Sequence, residues 1–63
     1  MDYILTLKGD KTERLEGKAF HDFLAKHGER VDATFQGRLE QLRRYTGKSS
    51  VVDWEMDEET EAR

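Results

Sequence analysis

Two histidines, a run of carboxylates near the C-terminus, a Gly-Lys-Ser triplet and a group of basic residues are the places where this 63-residue chain could do chemistry. His21 and His27 are six positions apart. A metal-binding pair on one helix face sits three or four apart, so no metal site is expected. Asp53, Glu55, Asp57, Glu58 and Glu59 could offer oxygens to a hard cation, but no turn glycine or calcium-loop spacing accompanies them. A catalytic carboxylate pair needs a cleft that gives its members different environments, and a chain this short rarely encloses one. Gly47-Lys48-Ser49 matches the end of a phosphate-binding loop, yet the glycine required five positions earlier is Leu42. A helical pattern, not a strand, also precedes the triplet. There is no cysteine, hence no disulfide, thiolate metal site or cysteine nucleophile. The expectation is a protein that is not an enzyme and uses no metal, cofactor or small-molecule substrate.

Recognition chemistry is better represented. Residues 1–52 carry a net charge of +2 and residues 53–63 a net charge of -5. Within 33–48, Arg38, Arg43, Arg44 and Lys48 stand against Glu40 alone, and Tyr45 beside the arginines could stack on a base. Such charge often serves solubility only. The functional alternatives are a basic surface for nucleic acid or an acidic surface for a protein. Trp54, the one tryptophan, suits either the core or an interface anchor, because tryptophan is enriched at binding hot spots.

The elements that must position these residues are legible as patterns. Residues 2–8 alternate, with Tyr3, Leu5 and Leu7 on one face and Ile4, Thr6 and Lys8 on the other, which predicts a strand ended by Gly9-Asp10. Asp10 and Glu13 have capping-box spacing. Leu15, Ala19, Phe20, Phe23, Leu24 and His27 then form a helical stripe. The reading is a helix over 11–27 stopped by Gly28, with Gly17 as a weak point, so that the helix could instead start near Leu15 with 10–14 as a turn. His27 is expected to pack at the helix end and His21 to lie at the surface beside Asp22. Asp32 is positioned to cap a second helix over 33–46, with Phe35, Leu39, Leu42 and Tyr45 or Thr46 facing inward and Gly47 ending it. Val52, Trp54 and Met56 alternate with Val51, Asp53, Glu55 and Asp57, predicting a second strand with an acidic, solvated face.

The expected fold is therefore α+β. It is a small β-α-α-β domain over residues 1–56, a helical hairpin on a short sheet, followed by an acidic disordered tail over 57–63. Two strands make a poor sheet. Seventeen apolar residues larger than alanine, leaving out Met1, make a small core for a chain without disulfides. Both points lead to the expectation that a homodimer completes the sheet. The alternative is a mainly α helical-hairpin dimer. No apolar run approaches the ~20 residues of a membrane span. The opening residues lack a signal peptide's pattern, so the expected location is cytoplasmic with no membrane partner.

The strand-helix-Gly-helix order of residues 2–46 resembles the ribbon-helix-helix regulators. That resemblance implies a dimer whose paired N-terminal strands enter the DNA major groove, with Thr6 and Lys8 facing the bases. Asp2 and Ile4 share that face, and Glu29-Arg30-Val31-Asp32 stands where the family places small polar residues against phosphate; both depart from the pattern. The family also includes antitoxins whose acidic C-terminal segment binds a toxin. The leading functional reading is a small regulatory interaction protein, similar in size and acidity to phage or mobile-element accessory proteins. It would bind a larger host protein through Asp53, Trp54, Glu55, Asp57, Glu58 and Glu59. The alternative is a dimeric DNA-binding regulator or antitoxin of ribbon-helix-helix type, using Thr6, Lys8, Arg38, Arg43, Arg44 and Lys48.

Overall fold

A computed structural model describes residues 1–57. The chain runs β1 (Asp2–Leu7), β2 (Lys11–Glu16), α1 (Gly17–Lys26), α2 (Phe35–Thr46) and β3 (Val51–Asp57). The strands form one antiparallel sheet in the order β2-β1-β3, with both helices packed on one face. The α+β class is as expected. The order is β-β-α-α-β rather than β-α-α-β, and the sheet has three strands from a single chain.

The difference arises at Gly9-Asp10. Both residues have positive φ, +83° and +60°, so they turn the chain back on itself instead of launching a helix. Consecutive positive φ values are the hairpin-turn conformation, and Gly-Asp is one of its sequence signals. Lys11–Glu16 then pairs with β1 from Leu7↔Lys11 to Asp2↔Glu16. The helix expected over 11–27 is thus a strand followed by a shorter helix that begins at Gly17. The Gly17 amide donates to the Met1 carbonyl (3.0 Å), tying the helix start to the beginning of β1.

The core lies between the sheet and the helices. Tyr3, Leu5 and Val51 from the sheet meet Phe20, Leu24, Leu39 and Leu42 from the helices, all buried. Tyr45 joins the two helices, with its ring 5.5 Å from Phe20 and 5.1 Å from Phe23. His21 is half-buried rather than at the surface: its Nε2 lies 3.2 Å from the buried Tyr3 hydroxyl. His27 is exposed, with Nδ1 3.0 Å from the Phe23 carbonyl, and does not extend the apolar stripe.

The cap of α2 is Thr34, not Asp32. The Gly37 amide donates to Thr34 Oγ1 (3.1 Å), while Asp32 Oδ1 accepts from the Thr34 amide (2.8 Å) and hydroxyl (2.6 Å). Gly37 is required here, because a Cβ at that position would overlap the Asp32 carboxylate. Gln41 and Arg38 hold the preceding loop from the helix side. Gln41 bonds the Asp32 amide and the Arg30 carbonyl, and Arg38 Nε donates to the Asp32 carbonyl, each at 2.9 Å. Gly47 ends the helix as expected.

β3 pairs with β1 from Asp2↔Asp57 to Thr6↔Asp53, after which a register shift places Val51 opposite Leu7. Val52 is the extra residue of this irregularity. It is therefore exposed, and Val51 takes the core position that alternation assigned to Val52. Asp57 belongs to β3 rather than to the tail. The rest of the expected disordered tail, including Glu58 and Glu59, lies outside the described residues. No helix among the described residues is long and apolar enough to cross a membrane.

Candidate interaction surface

β3 is an edge strand whose two faces carry different chemistry. Directly opposed residues of an antiparallel pair share a face, so Met56 and Trp54 lie on the helix side with Tyr3 and Leu5. Asp53, Glu55 and Asp57 lie on the uncovered side, opposite Thr6, Ile4 and Asp2.

On the helix side, Trp54 links the sheet to the start of α2. Its ring stacks on Phe35 (5.1 Å between centroids, 14° between planes) and lies 5.6 Å from Tyr3. The indole Nε1 donates to the Phe35 carbonyl (3.1 Å). The Arg38 guanidinium sits 4.9 Å from the ring centroid, a cation–π contact. Another Arg38 nitrogen lies 3.4 Å from the Tyr3 hydroxyl and 3.6 Å from Met56 Sδ. This assembly is only partly covered: Trp54 is half-buried, Phe35 is 45% exposed and Met56 37% exposed. Phe35, expected in the core, is a surface residue. The α2 stripe overshoots the sheet at its first turn, and Trp54 is the only large ring that reaches it among the contacts of the described residues.

On the uncovered side, Arg14 from β2 reaches across β1. It pairs with Asp57 and approaches Asp2 at 3.5 Å. Asp53 Oδ1 accepts the Trp54 backbone amide (2.8 Å). Glu55 makes no ion pair among the described residues and is exposed. Of the residues expected to bind a protein, Asp53, Trp54, Glu55 and Asp57 therefore fall along one strand. Phe35, Arg38 and Met56 complete the surface and were not expected there.

The basic residues are not gathered in the same way. Thr6 is on the uncovered sheet face and Lys8 in the β1–β2 turn, whereas Arg38 lies over Trp54 on the helix side. Arg43 donates to the Val51 carbonyl (2.8 Å) and pairs with Glu40 (2.9 Å). Arg44 pairs with Glu29 and Lys48 with Glu13, both at 2.5 Å. A shallow groove lined by Glu40, Arg43, Arg44, Gly47 and Ser49 thus has its cations already matched by carboxylates. β1 has neighbours on both edges, so it cannot form the intermolecular ribbon that a ribbon-helix-helix protein requires.

No protein-family model, curated protein or solved structure matches this chain.

Proposed function

We propose that this chain is a small, non-enzymatic regulatory module that binds a larger protein through β3 and the aromatic surface beside it. The carrying observation is the Trp54–Phe35 stack, partly exposed, roofed by Arg38 and set on an edge strand whose other face is acidic. Aromatic and arginine side chains in that setting are the usual anchors of protein interfaces. A phosphate-binding role draws no support from Arg43, Arg44 and Lys48, which are each committed to a glutamate.

The test compares wild-type protein with Phe35→Asp and Glu55→Lys on this surface, and with Arg44→Glu on the opposite helix end as control. Proteins captured from cells of the native host are quantified for each variant once folding is verified. A partner retained by Arg44→Glu, lost by Phe35→Asp and weakened by Glu55→Lys is the expected result. Capture that ignores Phe35 and Glu55 would overturn the assignment. So would salt-sensitive binding to labelled duplex DNA that disappears in Arg44→Glu, since phosphate contacts release counterions.

A further inference from the structure

We infer that the outer edge of β3 accepts a basic, extended peptide segment as a fourth strand of the sheet. The inference rests on the protein-binding reading above and specifies how the partner is held.

The backbone geometry identifies which groups of β3 have no strand partner among the described residues. The Lys8 amide donates to Ser50 (2.9 Å), on the β3 side of β1. Backbone direction alternates along a strand, so Thr6, Ile4 and Asp2 exchange their bonds with Asp53, Glu55 and Asp57. The backbone groups of Trp54 and Met56 then face outward. The Trp54 amide agrees independently: it donates to the Asp53 side chain rather than to β1. A strand of seven residues with no proline, lysine or arginine and outward amides is a template for pairing with another chain. The Asp53 carboxylate shields one of those amides and would have to swing aside, a movement that a cation on the incoming strand favours.

Side-chain positions define the occupant. Residues of an added strand opposite Trp54 and Met56 share the helix side with Phe35 and Trp54, which suits apolar groups. Those opposite Asp53 and Glu55 share the uncovered acidic side, which suits Lys or Arg. Opposite charges on facing strands stabilise pairing and like charges oppose it. The segment therefore alternates apolar and basic residues. A second copy of this chain is the wrong occupant. A two-fold pairing of β3 with itself keeps same-face residues opposite one another, and over 53–57 the uncovered face holds only Asp53, Glu55 and Asp57. Carboxylates would meet carboxylates in every such register.

The probe is a labelled heptapeptide alternating lysine and valine. Controls are the glutamate-valine analogue and a lysine-valine peptide with a central proline. Fluorescence anisotropy reads binding, and amide hydrogen exchange reads the Trp54 and Met56 backbone. The expected result is binding of the lysine-valine peptide alone, slower exchange at Trp54 and Met56, and a loss of roughly fivefold in Glu55→Lys, the scale of one cross-strand charge pair. Binding without added protection at those amides would be charge attraction only and would overturn strand addition. No binding of the lysine-valine peptide, with a native partner still captured through Phe35 and Glu55, would overturn strand addition and leave the module reading standing. Loss of both would remove the reading on which it rests.

Discussion

The two edges of this sheet are similar in length and opposite in character. β2 carries charges of both signs at Lys11, Glu13, Arg14 and Glu16, with Leu15 as its single apolar residue. Its Glu13 is bound to Lys48, which arrives from the α2–β3 connection (2.5 Å). Mixed charge along an edge deters pairing with other chains. β3 carries acids of one sign on one face and, on the other, Trp54 and Met56 beside Phe35. The β2 edge mixes both signs of charge, whereas the β3 edge sets acids on one face and a partly exposed aromatic surface on the other. Under the proposed strand addition, edge protection on β2 and recognition on β3 would use the same kind of side-chain position with different sign patterns.

If β3 is the anchored edge, its tryptophan must matter more to stability than any residue of β2. Trp54→Ala removes the stack on Phe35, the contact with Tyr3 and the bond to the Phe35 carbonyl together. Because the ring is half-buried, the expected loss is about 2–3 kcal/mol, below the range for a fully buried tryptophan. Leu15→Ala on β2 should cost about 1 kcal/mol, since it only borders the core. Urea unfolding of both variants reads the contrast, and equal losses would abolish it. The same result bears on partner mapping: deleting residues 53–63 would remove Trp54 and most of β3, so only point variants separate binding from folding.

The platform also depends on the α2 start that carries Phe35 and Arg38. Gly37→Ala would drive a methyl group into the Asp32 carboxylate, which is held by both Thr34 donors. Losing this cap should cost about 1 kcal/mol. It should also lower the cation–π geometry's persistence, visible as a change in Trp54 fluorescence before unfolding. Unchanged stability would show that the loop absorbs the methyl and that Asp32 does not organise the cap.

How much of this was legible is instructive at particular residues. Tyr3, Leu5, Leu39 and Leu42 follow simple periodicity, and the structure buries all four. β2 was not legible. Asp10 and Glu13 imitate a capping box, while Glu13 is committed to Lys48, 35 residues away, a contact that no local pattern carries. Gly9-Asp10 was the missed signal, since it serves equally as a strand stop and as a hairpin turn. At the surface, the alternation of Trp54 with Asp53, Glu55 and Asp57 was readable, and the structure sets them on opposite faces of β3. Phe35 was not, because a helical stripe does not show where the sheet beneath it ends. Arg38 reads as a phosphate ligand in sequence and becomes the roof of an indole in the fold.

Acid offers a milder way to loosen the platform. The Asp32 carboxyl is held below its ordinary value of 3.8, first by the Thr34 hydroxyl, then by the Thr34 amide, with the Arg38 charge adding to them. Its folded value is lower than its unfolded one, so the folded state takes up this proton less readily. Its contribution is present in full above 3.8 and is lost as pH falls from there through the lower folded value. The stability difference between wild type and Asp32→Asn should therefore be constant from neutral pH to about pH 5 and shrink below it. A difference that grows on acidification would assign the opposite sign to the interaction.

The smallest effect belongs to the β2 edge. Lys48 and Glu13 are each nearly half exposed, and exposed pairs are worth about 0–1 kcal/mol. Lys48→Ala should change unfolding free energy by no more than about 0.5 kcal/mol. If the pair serves chiefly to close the β2 edge, its removal should instead show in association. The variant, unlike wild type, would bind a glutamate-free lysine-valine peptide at β2, because Glu13 is then an unpaired acid on an edge strand. Slower exchange of β2 amides on adding that peptide would show that the ion pair, rather than strand length or apolar content, distinguishes the two edges. No change at β2 would place the distinction in the aromatic platform of Trp54 and Phe35, which β2 lacks.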